Sequence, residues 1–247
     1  MRHLVLLAAA AGAALFACNA APSKPSNPIA RAIADPRRPA DDKAADAQRK
    51  PAQTLELSGI APGMIVGEFY PGGGYYTRLL SDVVGPSGHV YSVGNKDWGD
   101  AEGTERSMGG HWKNVTFDSQ PFGTVHFPKP IDIAWITQNY HDLKVPKFGK
   151  IDTVAFDRAV YAALKPGGIY FIVDHQGRPG MTAADFTKLH RIDRDLVVRE
   201  VTSAGFKLAA EGQFLHNPAD DHTAPIFDKS IQGRTDRFVL KFVKPRA

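Results

Sequence analysis

The chain has 247 residues, which suits one globular domain with a tail and is short for two domains. Apolar residues make up 43% and charged residues 23%, the balance of a soluble folded protein, which excludes disordered and collagen-like classes. The net charge of +4 is scattered along the chain, so no basic stretch marks a nucleic-acid partner.

In chain order, Met1-Arg2-His3 precedes the uncharged run LVLLAAAAGAALFA, which ends at Ala17. That run is shorter than the roughly 20 residues a spanning helix needs. A positive start, a short apolar middle and small residues at the end describe a secretory signal peptide over residues 1–18. The only cysteine, Cys18, follows Leu15-Phe16-Ala17. This resembles the lipobox of bacterial lipoproteins, in which the cysteine is lipidated and anchors the mature chain to a membrane. The competing reading is ordinary cleavage after Ala20 or Ala21, with soluble periplasmic export. Residues 19–40 are rich in proline, alanine and charge and read as a flexible tether. A domain is expected over 41–247, led by a short helix between Asp41 and Leu57.

From Met64 onward apolar strands alternate with helical patterns. Strands are expected at 64–69, 89–94, 114–117, 131–137, 169–175, 206–215 and 236–244, with helices over 76–84, 156–164 and 185–204. In the last helix Phe186, Leu189, Ile192, Leu196 and Val201 recur at helical spacing. Strands separated by helices imply a doubly wound, mostly parallel α/β sheet of seven strands. No helix separates the final two strands, so the last is expected to run antiparallel. Parallel sheets of this kind bind ligands at the carboxyl ends of their strands. Glu68, Gly94, Asn95, Gln138, Asn139, Tyr140, His141, Asp142, Asp174 and His175 fall at or just beyond such ends.

Val66 to Thr77 reads VGEFYPGGGYYT: an apolar run, a carboxylate, three glycines and a helix start. Gly72 and Gly74 suit a close backbone approach to a ligand and positive φ. The missing full G-x-G-x-x-G argues against NAD or FAD. The competing reading is a tight strand-to-helix turn without a ligand.

Five segments, PGGGYYTRLL (71–80), NYHDL (139–143), LKPGGIYFIVDH (164–175), HRID (190–193) and NPADDHTAPIFDKSIQGRTDRFVLKF (217–242), occur in this order over residues 55–245. Together they resemble the class I S-adenosylmethionine-dependent methyltransferases, in particular an exported bacterial group. The resemblance implies a Rossmann-like methyltransferase fold, S-adenosylmethionine as cofactor and methyl transfer to a small acceptor. It maps the family's acidic–apolar–Gly–x–Gly–x–Gly motif onto Glu68 to Gly74, with Tyr70 in place of the first glycine. It assigns Glu68, Gly72, Gly73, Gly74, Gly94, Asn95 and Asn139 to the cofactor. The acidic residue that usually ends the second strand and holds the ribose is Gly94 here, followed by Asn95, with Asp97 two further on.

Methyl transfer depends on orientation, with a general base only where the acceptor carries a proton. The catalytic candidates are His141, Asp142 and His175, with His141 as base and Asp174 beside His175; the acceptor is expected between Asn139–Asp142 and Asp174–His175. Helix capping is the competing role for each. His190 and Asp193, three apart, are read as a structural pair flanking a helix stripe. Two carboxylates and two histidines on one edge also allow a metal, as in cation-dependent O-methyltransferases. No HxxxH or cysteine cluster supports zinc, and none is expected. Asp220-Asp221-His222 reads as an exposed acidic turn in a long loop of the lid or binding type. The second functional reading is a binding module: a methyltransferase fold with a drifted site, holding another ligand in the periplasm.

Overall fold

Strand β4 (Ile131–Thr137) reads IDIAWIT, nearly without polar residues, because both of its faces are covered. Alternate residues enter different cores: Ile133 and Trp135 pack on one side of the sheet, Ala134 and Ile136 on the other. In β5 (Leu164–His175) Phe171 and Val173 join the first core and Tyr170 and Ile172 the second. Each such large apolar side chain contributes about 1.5–3 kcal/mol when fully buried.

The computed structural model describes residues 27–96, 100–149 and 151–246. The expected signal peptide, Cys18 and Asp97 lie outside the described residues. The remaining strands are β1 (Ile65–Phe69), β2 (His89–Asn95), β3 (Val115–Gln120), β6 (Lys207–Gly212) and β7 (Arg237–Val243). They form one seven-stranded sheet in the order β3-β2-β1-β4-β5-β7-β6. The first five strands are parallel, and β7 runs antiparallel between β5 and β6. This is the sheet expected from the sequence, with the crossover point between β1 and β4.

Eight helices accompany it among the described residues: α1 (Pro28–Ile33), α2 (Ala40–Arg49), α3 (Pro51–Ser58), α4 (Tyr75–Val84), α5 (Asp100–Met108), α6 (Thr153–Ala163), α7 (Ala183–Leu189) and α8 (Arg194–Ser203). None is long and apolar enough to cross a membrane. Two expectations change here. Residues 27–40, assigned to the tether, hold α1, whose Ile29 and Ala32 are buried in the core around α4. Asn27 caps that helix, and Arg37 pairs with Asp82 of α4 at 2.7 Å. Proline and charge suggested a free chain, but two small apolar residues at helical spacing are enough to dock it.

The helix expected over 185–204 is two helices. His190 adopts a left-handed backbone (φ 51) and ends α7, and the Asp193 side chain caps α8 by accepting from the Asp195 amide at 3.1 Å. Arg191, fully buried between them, donates to the Gln176 and Ala224 carbonyls at 3.0 and 2.9 Å and to the Asp220 carboxylate at 2.8 and 3.1 Å. The apolar spacing was compatible with one helix, but a buried arginine needs acceptors on all sides. Asp220 is therefore buried and paired, which corrects the exposed acidic turn. It also pins the 216–235 loop to the domain.

Candidate functional site

At the end of β1 the chain turns sharply into α4. Gly72 (φ 55) and Gly74 (φ 82) take left-handed backbone, and so does Tyr70 (φ 52) where the motif would carry glycine. A side chain at Gly72 or Gly73 would meet nothing within 4 Å, so the backbone here faces open space. Gly74 caps α4 without any side-chain hydrogen bond, which leaves the helix's first N–H groups for an anion.

Beneath the loop, the buried Glu68 carboxylate accepts from the Thr77 hydroxyl at 2.6 Å and the Ser92 hydroxyl at 3.4 Å. Around it, the Thr104 hydroxyl donates to the Gly72 carbonyl. The Arg78 guanidinium donates to the Gly73 carbonyl at 2.7 Å and is held by Asp42 of α2 at 2.7 and 3.1 Å. The cradle is thus fixed by three helices, and a carboxylate beneath it suits a cationic amino group.

The end of β2 is different. Asn95 is buried, and its Nδ2 donates to the Phe148 carbonyl at 2.8 Å and to Tyr70 Oη at 3.2 Å. The Tyr70 ring, also buried, packs on Phe122 with centroids 4.7 Å apart. The glycine cradle thus offers open backbone, whereas at the end of β2 the Asn95 amide is already engaged. Gly94 lies next to it in β2 with no side chain to offer.

At the ends of β4 and β5 the structure builds a polar cluster. Asp174, 0% exposed, accepts from the His141 backbone N–H at 2.7 Å, from His141 Nδ1 at 2.8 Å and from the His175 N–H at 2.7 Å. His141 is itself buried, and its Nε2 stands 3.2 Å from Asp142 Oδ1 and 3.3 Å from His190 Nδ1. His190 Nδ1 is 3.4 Å from the same Asp142 oxygen, and Asn139 Nδ2 donates to the other, Oδ2, at 2.8 Å. Direct bonds between 139–142 and 174–175 close the gap in which the acceptor was expected, because Asp174 needs donors once it is buried. Asn139 orients Asp142 here, which departs from its expected cofactor contact.

Burial disfavours a charged His141, but the adjacent Asp174 and Asp142 carboxylates outweigh it and raise the imidazole to about 10. Burial likewise opposes ionisation of Asp142, yet His141, His190 and Asn139 hold its carboxyl well below the usual range. A histidine that keeps its proton near neutrality is a poor general base, contrary to the role expected of His141. Burial, with the nearby cations, pushes His175 far down, so it is a neutral imidazole, with Nδ1 2.7 Å from the Thr235 hydroxyl oxygen. His190 was read as a helix-face partner of Asp193. It meets His141 instead, a contact across 49 positions that no local pattern announces.

No protein-family model and no curated relative matches the chain. Solved structures do. A SAM-dependent methyltransferase from Aquifex aeolicus superposes with a TM-score of 0.58 at 18% identity, over 84% of this chain and 98% of its own. The N-methyltransferase NodS from Bradyrhizobium japonicum gives 0.58 at 12% identity, over 83% of this chain and 99% of its own. The cyclase SpnF gives 0.58 at 16% identity, over 84% and 82%. With its seven strands in this order and a glycine turn after β1, the chain has the fold of the class I S-adenosylmethionine-dependent methyltransferases.

Proposed function

We propose that the protein is an S-adenosylmethionine-dependent methyltransferase acting on a small acceptor, exported and held at a membrane through a lipid on Cys18. One observation carries the catalytic part: the glycine turn after β1 presents open backbone at Gly72 and Gly73, beside an uncapped helix N-terminus. Such an end attracts a carboxylate by about 0.3–1 kcal/mol when exposed. When bound, the cofactor supplies an electrophilic methyl group on a sulfonium centre. Gly72, Gly73 and Gly74 hold its aminoacyl end, and Glu68 faces the cationic amino group from below. Asn95 takes the ribose once it parts from Phe148. Neither imidazole is poised to receive an acceptor proton: His141 already holds one, and burial with nearby cations disfavours protonating His175.

A second reading is favoured by a specific contact. The Asn95–Phe148–Tyr70 bonds compete with the ribose, as a drifted site holding another ligand would show. The cyclase among the neighbours carries the same lesson, that this fold does not fix one reaction. Calorimetric titration of the full-length protein with S-adenosylmethionine and S-adenosylhomocysteine separates the two. Micromolar binding of both supports the transferase; millimolar or no binding supports the module. For the anchor, Cys18→Ser should abolish incorporation of radiolabelled palmitate and release the protein into the soluble periplasmic fraction. A wild type that carries no lipid would leave export alone.

A further inference from the structure

His141, Asp142 and His190 present three potential ligand atoms to one point. Their separations are nearly equal: His141 Nε2 to Asp142 Oδ1 is 3.2 Å, His190 Nδ1 to the same oxygen 3.4 Å, and nitrogen to nitrogen 3.3 Å. Tetrahedral ligands at about 2.0–2.1 Å from a zinc ion stand roughly 3.3–3.4 Å apart, whereas octahedral ones at that distance stand only about 2.9 Å apart. The triangle therefore has the edge length of one face of a tetrahedron.

The surroundings prepare each atom for that use. Asp174 accepts from His141 Nδ1–H at 2.8 Å, which leaves Nε2 as the nitrogen facing the centre, where a bound metal displaces its proton. Asn139 holds Asp142 Oδ2 at 2.8 Å and leaves Oδ1 facing the two imidazoles. That Oδ1 is buried, on a side chain only 4% exposed, and meets the two imidazoles at ion-pair distance without a well-aligned hydrogen bond. A buried carboxylate oxygen needs a positive partner, and a bound cation held by all three groups supplies one. His190 is placed by backbone of positive φ at the α7–α8 joint, an uncommon conformation for a side chain of its size.

We propose that these three residues bind one divalent transition metal of the zinc type. The protein fills three positions of a tetrahedron, and the fourth takes water or an anionic oxygen or sulfur ligand beside His190, whose side chain is 20% exposed. Three protein ligands with one open position is the arrangement of catalytic rather than structural zinc. The site stands on its own donors and does not depend on methyl transfer.

The test uses the full-length protein, stripped with a chelator, dialysed, and titrated with Zn2+ and separately with Co2+. One Zn2+ per chain should be retained through dialysis. Co2+ should give intense visible bands of a four-coordinate ion, and X-ray absorption of the zinc form should show imidazole scattering. His190→Asn, which tolerates the left-handed backbone, should weaken binding by at least about tenfold to a hundredfold. His222→Ala should leave binding unchanged; its Nε2 lies 2.9 Å from Asp236 in a separate cluster. Substoichiometric zinc, the faint bands of six-coordinate cobalt, absence of imidazole scattering, or loss of binding in His222→Ala rather than His190→Asn would each overturn the assignment. Should His190→Asn fail to fold, the wild-type cobalt and X-ray spectra decide alone.

Discussion

The two polar centres on the sheet's carboxyl edge are built in opposite ways. The glycine cradle is made by one continuous stretch, Glu68 to Arg78, with its ligand-facing surface being backbone. The histidine cluster gathers side chains from three separate places, the ends of β4 and β5 and the α7–α8 joint. Backbone open to solvent can be reshaped by a ligand at little cost. Buried charges bonded to each other cannot. Each half is therefore vulnerable in its own way: the cradle to bulk, the cluster to loss of one partner or to a change of pH.

The largest effect should come from pH beneath the cluster. Burial raises Asp157 to about 8, against the hydrogen bonds it accepts from Tyr140 and Tyr170 and with the push of the nearby Glu200. The folded protein thus keeps a proton that the unfolded chain releases above its ordinary value of 3.8. Asp157's contribution is fully present below that value, is lost as pH rises towards about 8 and is flat above, a change on the order of 5 kcal/mol. Asp157→Asn should flatten the fall of Tm between these limits; an unchanged slope would remove Asp157 as its source.

Next in size is Asp174→Asn. It leaves His141 beside one carboxylate fewer in a buried site and should cost about 3–5 kcal/mol in denaturant unfolding. Affinity for S-adenosylhomocysteine should not change if the two centres are independent; a parallel loss would join them. Tyr70→Gly suits the backbone, at φ 52, but removes a buried ring, with a net loss of about 3 kcal/mol. Because it opens the ribose end, cofactor affinity should rise in calorimetry rather than fall.

The smallest expected loss is in Gly73→Val, which costs the free fold little because its Cβ points into open space. The crowding it creates against a bound cofactor should weaken binding by about 1–3 kcal/mol, with Tm nearly unchanged. Gly74 is a poorer probe. Its φ of 82 and the Arg78, Ser107 and Met108 atoms 3.0 to 3.3 Å from a new Cβ would disturb the fold itself.

The same contrast explains what the sequence made legible. Strand positions, the antiparallel last strand and the glycine turn follow from period-two and period-3.6 patterns and from turn residues, all local signals. Tyr70 and Gly94 stood out as departures from a motif, and the structure gives the first a physical role through Asn95. The break at His190 was masked because Leu189 and Ile192 fit a helical stripe on either side of it. Arg191 carries no local sign of burial, because its partner Asp220 lies 29 positions later. The docking of α1 was hidden by a composition that is tether-like on average. Sites made of distant side chains leave no periodic trace, so the His141–His190 contact could not have been read beforehand.

The proposed cofactor lies across Gly72 to Gly74 and reaches Asn95. Hydrogen exchange of the full-length protein, with and without saturating S-adenosylhomocysteine, tests this most directly. Protection should appear in peptides spanning 70–79, while peptides spanning 145–149 lose protection as release of Asn95 loosens the turn that holds the Phe148 and Gly149 amides. Peptides spanning 139–143 should stay as they were. Unchanged exchange over 70–79 at ligand saturation, or protection confined to 139–143 and 174–192, would rule out a cofactor on the glycine turn.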